Sequence, residues 1–64
     1  MKVKIISTSD GKYEGETLHL ETISDVGSDI SYKGTVFELV KKTVKGNVIT
    51  LYSPNYIVKL KVIG

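Results

Sequence analysis

Thr35-Val36-Phe37-Glu38-Leu39-Val40-Lys41-Lys42-Thr43-Val44-Lys45 can be read as either of two elements. As a helix, Val36, Leu39, Val40, Thr43 and Val44 share one face, and Thr35, Glu38, Lys41, Lys42 and Lys45 share the other. Thr35 and Glu38 then have capping-box spacing, Glu38 and Lys42 stand one turn apart, and Gly46 follows as a stop. As a strand, the same residues are rich in β-branched and aromatic side chains, which lose rotamer freedom in a helix. Phe37 and Leu39 would project one way and Val36, Val40 and Val44 the other, as in a strand that bends through a barrel. The strand reading is preferred. It predicts an all-β chain: a small barrel or strongly bent antiparallel sheet of about five strands. The helix reading predicts an α+β chain of order ββαββ with its helix at 35–45.

Toward the C-terminus, Lys45-Gly46-Asn47 reads as a hairpin turn into Val48–Ser53, placing Val44 opposite Val48. Ser53-Pro54-Asn55 is a second turn. In Tyr56–Ile63, Val58, Leu60 and Val62 alternate with Lys59 and Lys61, the period of a strand with one buried and one wet face. As the last strand it is expected to form a sheet edge unless the barrel closes or another chain adds to it, with Lys59 and Lys61 guarding against unwanted pairing. Toward the N-terminus, Lys2–Thr8 reads as a strand, Ser9-Asp10-Gly11-Lys12 as a turn, and Tyr13–Ile23 as a second strand bulged at Gly15. Ser24–Asp29 is a loop by composition, and Ile30-Ser31-Tyr32 a short strand. Val36, Val40, Val44, Leu51, Val58, Leu60 and Val62 are the expected core.

With 64 residues the chain makes one small domain. Such a domain buries only about 60% of its unfolded surface, so its core is thin. There is no Cys to form a disulfide, and one His is too little for zinc. Self-association or a partner chain is the remaining staple. No apolar run approaches membrane-spanning length, and the start Val3-Lys4-Ile5-Ile6 is too short and too charged for a secretory leader. A complete, cytoplasmic chain without membrane contact is expected. The net charge of +2 divides unevenly. Residues 1–31 carry six acids and three lysines; residues 32–64 carry six lysines and one acid. Every cation is Lys, and Lys lacks the planar fork with which Arg reads guanine or phosphate.

Ile30-Ser31-Tyr32-Lys33-Gly34-Thr35-Val36-Phe37-Glu38-Leu39-Val40-Lys41-Lys42 resembles the Leu-Ser-Phe-x-x-Gly-Asp run, and the apolar positions after it, of SH3 and SH3-like small barrels. Ser53-Pro54-Asn55-Tyr56-Ile57-Val58 is similar to their Pro-Ser-Asn-Tyr-Val turn, with the first two residues inverted. The likeness covers about half the chain and implies an SH3-like architecture. There is no Ala-Leu-Tyr-Asp-Tyr-like opening and no Trp, so it does not imply a Pro-peptide-binding SH3 domain. Tyr56 alone matches a groove tyrosine of that family.

No constellation for catalysis is present, and no enzymatic activity is expected. His19 has Thr17 and Glu21 as same-face neighbours, a surface contact rather than a nucleophile–base pair. Gly11, Gly15 and Gly27 match no phosphate loop. Asp25 and Asp29 are spaced as turn residues rather than as a Ca²⁺ loop, and neither metal nor cofactor is expected. The leading expectation is a non-enzymatic binding protein acting through protein contacts: an adaptor or inhibitor, phage or mobile-element encoded, or a homo-oligomer. The first alternative is nucleic-acid binding by a Lys/Tyr face; the second is small-ligand capture at an oligomer interface. The candidate binding residues are Tyr32, Lys41, Lys42, Lys45, Tyr52, Tyr56, Lys59 and Lys61, where aromatic rings interleave with cations.

Overall fold

The computed structural model describes residues 1–20, 25–32 and 34–64, with Tyr32 and Thr35 described in backbone alone. Among the described residues seven strands form, and no helix: β1 (Lys2–Thr8), β2 (Thr17–His19), β3 (Asp29–Tyr32), β4 (Thr35–Glu38), β5 (Lys41–Lys45), β6 (Val48–Ser53) and β7 (Tyr56–Val62). Five make an antiparallel sheet of order β2-β1-β7-β6-β5, and β3 and β4 make a separate hairpin. The sheet has two edges, β2 and β5, and does not close into a barrel.

The segment 35–45 is therefore β-structure, not the alternative helix, but it is two strands rather than one. The chain leaves the hairpin at Leu39, whose N–H donates to Ser28 O at 3.0 Å and whose O accepts from Gly27 N at 2.8 Å. It enters the main sheet at Val40, whose N–H donates to Tyr52 O at 2.8 Å. Leu39 is fully buried at this crossing point. The mixed faces of the segment have a simple cause: its two halves belong to different sheets.

Alternation sets the faces of the main sheet. Val3 and Ile5 of β1, Leu60 of β7 and Ile49 of β6 point inward and are buried; Val3, Ile5 and Leu60 form one cluster. Ile49, Leu60 and Ile5 stand in register across three strands. An extra residue, Ile6, shifts the β1–β7 register, so that Ser7 faces Lys59 and Thr8 faces Val58. Tyr13, Leu18 and Leu20 pack onto the cluster from outside it.

Several expectations change. Val36, Val40 and Val44 are exposed (Val36 and Val44 by 63% and 64%), because β4 and β5 lie at the margins of their sheets. The β5–β6 hairpin pairs Lys45 with Val48 and Val44 with Ile49, one residue off the expected register. Among the described residues the second strand is Thr17–His19, and 21–23 of the expected strand lie outside them. Tyr13 to Gly15 are turn, with positive φ at Tyr13 (67°) and Gly15 (88°), and the expected bulge lies in β1 instead. Above all, β7 is not an edge. It is the central strand, hydrogen-bonded to β1 on one side and β6 on the other.

Candidate functional site

The strands of the five-stranded sheet contain seven of the nine lysines (Lys2, Lys4, Lys41, Lys42, Lys45, Lys59 and Lys61) and none of the seven acids. Period-2 alternation places six of them on the open face, because each lies out of phase with the buried positions of its strand or opposite such a residue. All six are exposed. Lys42 alone takes the opposite phase, across from Leu51, and its Nζ lies 3.7 Å from Asp25 Oδ1.

The face is unmixed in sign. Lys4 stands directly opposite Lys61, an arrangement that destabilises an antiparallel pair. No carboxylate on these strands offsets it. Asp10, Glu14, Glu16, Asp25, Asp29 and Glu38 all lie in loops or in the β3–β4 hairpin. An ordinary solvated sheet face mixes both signs. Edge protection could explain Lys41 and Lys45 on β5, but not Lys59 and Lys61 on the central strand.

Between the cations the face is built of Val48, Thr50, Tyr52 and Ile57. Thr50, flanked by Thr43 and Lys59 in register, is only 8% exposed, which requires neighbouring side chains to lie across it. Lysine stems do this while keeping the ammonium in water. Lys41 Nζ sits 5.3 Å from the centre of the Tyr52 ring, within cation–π range. Beside this pair is a shallow depression bounded by Ser9, Lys41, Tyr52, Pro54, Asn55 and Ile57.

Of the candidate residues read from the sequence, Lys41, Lys45, Tyr52, Lys59 and Lys61 come together on this face. Lys42 and Tyr56 do not. Tyr56 turns to the inner side, where its ring stacks on Phe37 at 4.9 Å and its hydroxyl donates to Asp10 Oδ1 at 2.7 Å. Asp10 Oδ1 also accepts from Lys12 N at 3.0 Å, and the Thr8 hydroxyl lies 3.3 Å away. The Tyr56 hydrogen bond, then that from Lys12, holds the Asp10 carboxyl below its ordinary 3.8. Partial burial, then the Asp10 hydrogen bond, raises the Tyr56 phenol above its ordinary 10.0. Tyr32 is placed by its backbone in β3, opposite Thr35. Sequence reasoning missed Lys2 and Lys4 as members of the basic face; only the β1–β7 pairing, across more than fifty residues, reveals them.

Among the described residues no group of three or more His, Cys, Asp or Glu could hold a metal ion. His19 is exposed in β2, opposite Lys2, and Glu21, its expected partner, lies outside the described residues. No described helix is long and apolar enough to cross a membrane. No protein-family model, curated protein or solved structure matches the chain.

Proposed function

We propose that the protein binds nucleic acid through the open face of its sheet, as a non-enzymatic module that grips the phosphate backbone. One observation carries this reading: among the described residues, six exposed lysines share a face whose strands hold no acid, and two of them stand on the central strand, where edge protection has no use. Uncompensated like charge costs stability in the free protein and is relieved by a polyanion, which releases its own counterions on binding. The described acidic residues, kept to loops and the β3–β4 hairpin, give the domain an uneven field that helps turn the basic face toward such a partner.

The face has one aromatic ring, Tyr52, and the chain has no Arg or Gln. Binding of this kind is positional rather than base-reading. Tyr52 and the depression beside it offer at most one stacking position. The likeness of 30–42 and 53–58 to SH3-like barrels enters this proposal only as a shared way of covering a thin core, because Tyr56 is engaged with Phe37 and Asp10.

Fluorescence anisotropy with a labelled mixed-sequence duplex tests the proposal. If four to six lysines each neutralise one phosphate, log K falls against log salt with a slope of about −4 to −5. Absence of binding at low salt, or binding indifferent to salt, overturns it. A second reading, contact with a protein partner, is favoured by the exposed Val36, Val40 and Val44 away from the lysine face. It predicts complexes that survive high salt and are lost on replacing those valines with Ser.

A further inference from the structure

Between the main sheet and the β3–β4 hairpin lies a cavity of about 130 Å³. Its walls come from β1, β2, β6 and β7 on one side and from Ile30 and Phe37 of the hairpin on the other. We propose that this cavity is a binding site for a neutral compound built on one aromatic ring.

Three observations carry the inference. First, the inward-facing Leu18, Ile30, Phe37, Leu51 and Val58 are only half-buried, although Val3 and Leu60 beside them are at 0% and 2% exposure. The two layers meet around the cavity without filling it, and these side chains keep apolar surface to offer a guest. Second, among the described residues no charged side chain lines the space; its few polar groups are hydroxyls of Thr, Ser and Tyr. A charged guest would be desolvated there without a partner, whereas a neutral one is not penalised. Third, one wall is aromatic. Phe37 and Tyr56 are stacked with 28° between their planes, and Tyr13 closes in from the 9–16 loop. Tyr13 holds a positive φ of 67°, a costly conformation for an aromatic residue, and the ring it presents packs on the core. An aromatic guest gains edge or offset contacts with such a wall. The volume suits one ring: apolar cavities of about 150 Å³ lined by Leu, Ile and Phe take up benzene.

Toluene is the probe, titrated into the intact protein and followed by methyl chemical shifts and thermal unfolding. The expected result is saturable movement of the Leu18, Leu51 and Val58 methyl signals, with Tm raised by about 5 °C near saturation. Leu51→Phe, which fills the space, is expected to abolish both responses while remaining folded. Should that variant fail to fold, Leu18→Phe serves the same purpose from β2, at the other end of the same wall. The inference is overturned if toluene leaves those methyl signals unmoved, or if a folded filling variant responds as the wild type does. Duplex binding is read in parallel: the lysine face is on the other side of the sheet from the cavity, so its affinity should not change with toluene, and failure of one proposal leaves the other standing.

Discussion

Along β7 two sets of alternate residues meet different surroundings. Val58, Leu60 and Val62 look inward, and Lys59 and Lys61 look out from the same seven-residue strand. The inner side is apolar, aromatic-walled and faced by the β3–β4 hairpin, which carries acids; the outer side is cationic, and among the described residues its strands carry none. Stability therefore resides in one face and the proposed recognition in the other. Changes to the two should separate cleanly.

The largest effect is expected from Leu60→Ala. Leu60 is buried among Val3 and Ile5 at the middle of a thin core, and its truncation should cost about 3 kcal/mol in urea unfolding. Duplex binding would weaken only as far as the protein unfolds. The converse change, Lys59→Gln with Lys61→Gln, should leave unfolding within about 0.5 kcal/mol of wild type, because surface changes of this kind are nearly neutral. Relief of the Lys4–Lys61 repulsion favours a slight gain. Duplex affinity should fall at least tenfold at low salt, and the salt slope should shrink by about two. A double variant that loses stability in step with affinity would erase the distinction between faces.

A smaller loss is expected at the β5–β6 turn. Gly46 has φ of +60°, and a Cβ there would meet nothing within 4 Å, so Gly46→Ala tests backbone strain alone. It should cost about 1 kcal/mol. The smallest effect is the pH response of the 9–16 loop. Asp10 titrates below 3.8 in the fold, so its contribution is full above that value and fades as pH falls through the depressed pKa. Tyr56 titrates above 10.0, so its contribution is full below 10.0 and fades as pH rises through the raised pKa. Stability measured against pH should thus decline at both extremes. Tyr56→Phe should flatten the alkaline decline and weaken the acidic one.

Strand periodicity was legible because it is local. Lys2–Thr8 and Val48–Ser53 are strands with the bounds read from the sequence, and Tyr56–Ile63 differs by its final residue. Glu38 to Lys41 was harder, since a chain that changes sheets at Leu39 shows neither a clean helical nor a clean strand period. Pairing was the main gap. Nothing near Lys59 or Lys61 tells that Val3 and Ile5 will lie alongside, so a central strand looked like an edge. For the same reason Lys41, Lys45, Tyr52, Lys59 and Lys61 could be proposed from local pattern, whereas Lys2 and Lys4 could not. The inward turn of Tyr56 depends on Asp10, forty-six residues away, and has no local signal either.

The insertion of β7 between β1 and β6 also bears on how the domain comes into being. Residues 2–8 must wait for residues 56–62 before their main partner exists, and closing so long a loop is slow relative to local pairing. During synthesis β1 thus has only the short β2 as a sheet partner until β7 has left the ribosome. The lysines of β1, beside the acid-free β5–β6 hairpin, then give the waiting chain a shared positive charge that discourages neighbouring copies from pairing with it. On this view the cationic face is useful twice: to the folded domain as a grip on a polyanion, and to the unfinished one as protection against aggregation.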